Sequence, residues 1–127
     1  LDSGLSQVAA IVGPVPQHPY EGITDDPGEG ERIAAALGAR RALLLENHGA
    51  VSWGRTMGES LFVMFNLIKA CQIQLAMMGA VGGRREELVR ATPEAVATTQ
   101  RVAWAISPGE VELDMLLRSE DERDYGR

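Results

Sequence analysis

Apolar and polar positions divide the chain into short segments punctuated by glycine and proline. Residues 5–12 are nearly all apolar between Gly4 and Gly13, which predicts a strand. Pro14, Pro16 and Pro19 then predict an extended, non-helical stretch, since each lacks a donor and restricts the residue before it. Asp26 reads as a helix cap, with Pro27 in the first turn, Glu29 completing a capping box and Gly38 as the stop. Ile33, Ala34, Ala36 and Leu37 would face inward. Leu43, Leu44 and Leu45 form a run suited to a strand covered on both faces.

Asn47, His48 and Gly49 follow as a turn, because Asn and Gly accept positive φ at low cost. Residues 50–53 resume an extended pattern, and Gly54 stops it. Thr56 and Glu59 have the spacing of a capping box. The run 61–78 is apolar on nearly every face, which predicts a helix buried against a sheet or a second subunit. The glycines of 79–83 end it, and 84–90 is polar. A helix is expected over 93–105, with Val96, Val102 and Trp104 on or near its apolar side. Ser107, Pro108 and Glu110 repeat the cap logic before a last amphipathic helix. There Val111, Leu113 or Met115, Leu116 and Leu117 would pack, and Glu112, Asp114 and Arg118 would face water. Residues 119–127 are charged and expected to fray.

Composition narrows the picture. At 127 residues and 45% hydrophobic, the chain is one domain or part of one, with enough apolar mass for a core. A net charge of −6 argues against nucleic acid as the main partner, because phosphate contacts need a basic face. Cys71 is the single cysteine, so no intrachain disulfide forms and a reducing compartment is the natural home. No transmembrane segment is expected, since Asn66, Lys69, Gln72 and Gln74 interrupt the longest apolar run.

The stretch 40–80 carries the most specific pattern. Leu44, Leu45, Asn47, His48, Gly49, Val51, Gly54, Thr56 and Glu59 match the strand–NHG–strand–helix segment of the class II aldolase/adducin family, which the chain resembles. The sequences NLIKACQIQLA and, upstream, HPYEGI (His18, Tyr20, Gly22, Ile23) fit the adducin-like branch. The resemblance covers about 15–83 well and the rest loosely. It implies a three-layer α/β/α sandwich on a mostly antiparallel sheet, incomplete here at the N-terminus, with 1–118 forming the C-terminal part of that domain. Assembly as a homo-oligomer, often a tetramer, is also implied.

The resemblance gives His48 a role. In class II aldolases the NHG histidine is a ligand of a catalytic divalent metal, usually zinc. A His-x-His pair upstream supplies the other ligands, and an upstream acid moves the proton. A catalytic zinc takes about three protein ligands. This chain has two histidines, His18 and His48, and no His-x-His, so such a site needs ligands from before Leu1. Glu46 is a further candidate for a ligand or its acceptor, and Cys71 is poorly placed for one. Catalytic residues are not assignable from the sequence.

From the residues alone, His48 is either a turn former or a site residue. Asn47 and Gly49 are turn and backbone-geometry residues that could also border a site. His18 is a surface residue or lines a cleft with Tyr20. Two functions follow from the resemblance. One is an adducin-like head domain, oligomerising and associated with actin and spectrin, in the cytoplasm or the cytoskeleton at the inner membrane face, with a degenerate metal site. The other is a metal-dependent aldolase or epimerase-type lyase acting on a small sugar phosphate or hydroxy acid.

Overall fold

The computed structural model describes residues 1–23, 25–106 and 108–121. In chain order the elements are α1 (Gln7–Val12), β1 (Gln17–His18), α2 (Glu29–Leu37), β2 (Ala42–Leu45), β3 (Gly49–Ser52) and α3 (Met57–Ala80). A 3-10 turn (Arg85–Glu87), α4 (Pro93–Ala103) and α5 (Glu110–Asp121) complete it. Residues 122–127 of the expected charged tail, and the Ser107 of the second cap, lie outside the described residues.

The strand order is β1–β2–β3. β1 runs parallel to β2, with His18 opposite Leu45, and β2 runs antiparallel to β3, with Leu45 opposite Gly49. The sheet is therefore mixed, which corrects the expectation of a mostly antiparallel one; the α/β class stands. β2 is the middle strand and is covered on both faces, as its triple leucine predicts. Ala42 and Leu43 are both fully buried although successive side chains point to opposite faces. Ala42 joins Val12, Val63 and Leu67 in the core, with Leu44 packed alongside. On the other face, β2 packs against α2, and Leu45 and Ile33 line the same cavity.

The apolar run 5–12 forms a helix, not the expected strand. Ser6 caps it, its hydroxyl accepting from the Ala9 amide at 3.1 Å. A short apolar run satisfies either geometry; here Ala9, Ala10 and Val12 are small enough to wedge the helix against α3 and α4. Trp104 fastens its end, donating Nε1–H to the Ile11 carbonyl at 3.0 Å. The Trp104 ring meets Phe62 edge-on at 5.9 Å and lies 3.6 Å beneath the Arg41 guanidinium.

α2 begins later than expected. Gly28 is its cap, and Asp26 accepts from the Gly28 amide at 2.9 Å, shaping the turn before the helix. None of its residues is fully buried: Ile33, Ala36 and Leu37 are half-buried and Ala34 is exposed, because the helix rests lightly on β1 and β2.

α3 starts as the capping box predicts, with Thr56 Oγ1 accepting from the Glu59 amide at 3.1 Å. The Glu59 carboxylate reaches back one residue further than expected, to the Arg55 amide at 2.9 Å, and takes the Arg55 guanidinium as well. Only one flank of α3 is buried, through Gly58, Glu59, Val63, Asn66, Leu67 and Ala70. Phe65, Ile68 and Leu75 are exposed, which corrects the expectation of burial all round. By length and composition α3 could cross a bilayer, but its inner flank packs on α1, β2, β3 and α5 as a core helix does. On α4, Val96 is half-buried and Val102 exposed. On α5, Leu113 is half-buried, whereas Val111, Met115, Leu116 and Leu117 are exposed, against expectation; Glu112, Asp114 and Arg118 do face water. No described element lies over that side of α5.

Candidate functional site

The end of the sheet where β1 stops and β2 turns into β3 borders an open cleft of about 340 Å³. His18, Tyr20, Glu21, Ile23, Ile33, Leu45 and His48 are among its walls. The strand register brings these together. His18 is the last residue of β1, and its carbonyl accepts from the Glu46 amide at 3.0 Å, which ties the β1 exit to the β2–β3 turn. In that turn His48 donates its amide to the Leu45 carbonyl at 3.2 Å, and Asn47 takes a φ of 53°. An asparagine tolerates that left-handed backbone better than most residues, which gives Asn47 a structural reason to be there.

His48 is exposed at the mouth of the cleft, and Tyr20 stacks beside it with ring centroids 6.5 Å apart and planes 20° apart. His18 is the opposite case, a residue only 8% exposed. Its Nε2 lies 2.9 Å from Glu21 Oε1, close enough for an ion pair but not aligned as a hydrogen bond. Glu21 in turn is clamped by Arg32 of α2. The Arg32 Nε donates to both Glu21 oxygens at 3.0 and 3.1 Å, and Nη2 reaches Glu21 Oε2 as well as Asp26 Oδ2, the latter at 2.8 Å. Arg32 holds the Glu21 carboxyl below the usual carboxylate range, with the nearby His18 acting in the same direction. The Gly28 amide, then Arg32, lower Asp26 likewise. The shared carboxylates raise Arg32 in turn.

Of the residues singled out in the sequence, His18, Tyr20 and His48 converge on the cleft. Asn47 shapes the turn without being among the lining residues. Gly49 has no positive φ, and a Cβ there would meet nothing within 4 Å, so nothing among the described residues requires its glycine. Gly54 differs: a Cβ would sit 2.5 Å from the Ser60 nitrogen, so the close approach of β3 to α3 demands glycine. Glu46 is exposed outside the cleft, and Cys71 is half-buried on α3, packed against the core. Sequence reasoning missed Glu21 and Arg32. Glu21 stands in full view within HPYEGI, but its partner is eleven residues away on α2 and only the fold pairs them.

The donor set does not make a metal centre on its own. Among the described residues no three His, Cys, Asp or Glu side chains cluster as ligands, and both Glu21 oxygens are committed to Arg32. Two imidazoles fall short of the roughly three protein ligands a catalytic zinc requires.

Comparison with known proteins decides the family. The family description "Class II Aldolase and Adducin N-terminal domain" matches residues 3–75. The chain belongs to the class II aldolase and adducin family. Relatives within it include gamma-adducin of Rattus norvegicus, 30% identical over 136 residues, which span 95% of this chain and 19% of that protein. A putative aldolase class 2 protein of Caulobacter vibrioides is 44% identical over 72 residues, 56% of this chain and 28% of the relative. A crystal structure of an aldolase II superfamily protein from Pseudomonas syringae superposes with a TM-score of 0.73 at 33% identity, covering 91% of this chain and 47% of that one. The chain thus spans about a fifth of the adducin and about half of the solved relative.

Proposed function

We propose that the chain is an adducin-like portion of a class II aldolase/adducin head domain, and that it works as an oligomerising module whose metal site is incomplete within these residues. The observation that carries this reading is the placement of His48. It stands exposed at the mouth of a cleft that contains one further imidazole and, among the described residues, no cluster of three ligands. A donor so placed becomes a metal ligand only when other polypeptide brings the remaining groups to it. The exposed apolar flank of α3 and the outer side of α5 fit a chain that packs against more protein, in a three-layer domain assembled as a homo-oligomer up to a tetramer. Likeness to adducins extends the reading to association with actin and spectrin, in the cytoplasm or at the inner face of the plasma membrane.

A second reading, a divalent-metal-dependent lyase or epimerase for a small sugar phosphate or hydroxy acid, is favoured by the convergence of His18, Tyr20 and His48 on a cleft of small-molecule size. Metal analysis of the full-length protein, sedimentation velocity and co-sedimentation with actin filaments test the two together. The first reading expects an oligomer that pellets with filaments and carries far less than one metal per chain. Stoichiometric zinc that is lost in His48→Ala, with no filament binding, overturns it in favour of the lyase.

A further inference from the structure

The outer flank of α3 has a spacing of its own. Leu61, Phe65, Ile68, Gln72, Leu75 and Gly79 follow one another at intervals of four, three, four, three and four residues. That alternation keeps side chains in one line along a helix, and it is the spacing at which a second helix packs knobs into holes. Leu61 is half-buried and the rest are exposed, Phe65 by 64%, Ile68 by 52% and Leu75 by 70%. The core takes the opposite flank, through Val63, Asn66, Leu67 and Ala70. We propose that this stripe is the contact between two copies of the chain, packed α3 against α3, antiparallel, across a two-fold axis level with Ala70. The inference rests on the oligomerising reading above and names the surface through which it acts.

The stripe complements its own reversal. About that axis Phe65 falls opposite Leu75 of the second copy, Leu61 opposite Gly79 and Ile68 opposite Gln72. Each pair joins a bulky side chain to a smaller or more flexible one. A Cβ at Gly79 would meet nothing within 4 Å, so the approach to it is open. Gln72 is the one polar side chain in the line, and it lies beside the axis, where a polar group in a seam sets the register.

The surroundings of α3 favour the same pairing. Between α3 and α5 lies a cavity of about 280 Å³, walled by Leu61, Phe62, Phe65, Met115 and Leu116, with Glu112 among its residues. It flanks the N-terminal half of the stripe. Leu75 stands about 21 Å further along the helix than Leu61, at about 1.5 Å per residue. An antiparallel two-fold brings each copy's Leu75 to the other's cavity, and it covers the exposed Met115 and Leu116 in the same step. Charge points the same way. Two chains of net charge −6 repel, so they meet most easily where acids are few. α3 carries only Glu59, buried and held by Arg55, and Lys69. Lys69 is exposed beside the axis, where its stem can carry the ammonium out to water.

Paired cysteines in the full-length protein, in a Cys71→Ala background, test the proposal. Positions 65 and 75 are about 15 Å apart along one helix, at about 1.5 Å per residue, too far for a disulfide within a chain. A chain carrying both Phe65→Cys and Leu75→Cys should therefore oxidise to a covalent dimer, read by mass spectrometry as linked peptides from the two positions. Phe65→Cys alone should not link. Ile68→Glu and Leu75→Glu should each require protein concentrations on the order of 100-fold higher to associate in sedimentation equilibrium. Their circular dichroism should match wild type, because both side chains stand in solvent within one copy. Val102→Glu, comparably exposed on α4, should associate as wild type does. Three results overturn the pairing: Phe65→Cys alone linking to itself, an oligomer that neither glutamate weakens, or a Leu75→Cys shielded from maleimide with no link between chains. The last would give the stripe to another helix of the same polypeptide. Each leaves room for an oligomer built through a different face, whereas a monomeric wild type defeats the oligomerising reading as well.

Discussion

Two ends of the molecule are held by different forces. At one, α1, the inner flank of α3 and the middle strand bury Val12, Ala42, Val63 and Leu67 in continuous contact. At the other, the cleft is fixed by two ion pairs, one close polar contact and one ring stack: Glu21 to Arg32, Arg32 to Asp26, His18 beside Glu21, Tyr20 beside His48. Packing at the first end is worth kilocalories, because burial removes apolar area from water. The arginine and carboxylates at the second are largely solvated, and such pairs contribute little to stability. Stability and the arrangement of the cleft therefore depend on different residues, and substitutions should separate them.

The largest expected effect is at the packed end. Leu67 is 1% exposed and belongs to the core cluster, and Leu67→Ala removes its contacts with Val12, Ala42 and Val63 while leaving a cavity. A loss of about 3 kcal/mol in unfolding free energy is expected by chemical denaturation, with no change in the reactivity of His48. A loss below about 1 kcal/mol would mean that the core is loose and that the contrast between the two ends is false.

A charged group inside the packed end gives an intermediate case. The Glu59 side chain is 1% exposed while its partner Arg55 is 65% exposed, so the pair has one foot in the core and one in solvent. Arg55 holds the Glu59 carboxyl below its ordinary value of 4.5, through its guanidinium first and its amide second, with a smaller Coulombic contribution from Arg41. A carboxyl lowered by folding contributes stability that is complete above the unfolded value and is lost as pH falls through the folded one. Thermal melts should show Glu59→Gln well below wild type at pH 7, with the gap closing as pH falls below 4.5 and through the lowered folded value, beneath which wild type also carries a neutral group there. A gap that is constant with pH would assign the loss to packing rather than to charge.

The same contrast explains how much was legible in the sequence. The β2 leucines, the Thr56 cap and the turn at Asn47 could be read because each depends on neighbours a few residues away. Leu5 to Val12 misled because an apolar run fits either element, and only the space between α3 and α4 chooses the helix. Phe65, Ile68 and Leu75 misled for a related reason. Apolar character on all sides of α3 says that the flank could be covered, but coverage depends on what packs there. At the cleft, His48, Tyr20 and His18 were visible as residue types near turns and prolines. The Glu21–Arg32 clamp was not, since it depends on how the segment after β1 folds back over α2.

The smallest effect on stability, and the sharpest test of the comparison, belongs to that clamp. Arg32 is exposed, and its partners Glu21 and Asp26 are surface carboxylates whose solvation recovers much of what the ion pairs supply. Arg32→Met should lower the melting midpoint at pH 7 only slightly. That small deficit should shrink as pH falls. Without the guanidinium, the Glu21 carboxyl returns toward its ordinary value of 4.5 and takes up a proton at higher pH than in wild type. Glu21 is lowered in the folded chain, so its contribution is present above 4.5 and fades as pH falls; in Arg32→Met less of it is there to fade. The acid limb of the stability curve should accordingly be shallower in the variant, with the two curves meeting at low pH. Carbon-13 titration of the Glu21 carboxyl reads the same change directly, as a midpoint that moves up toward the ordinary value. A midpoint that stays in place would mean that His18, not Arg32, holds the carboxylate ionised. The bracing would then run from the imidazole outward instead of from α2 inward.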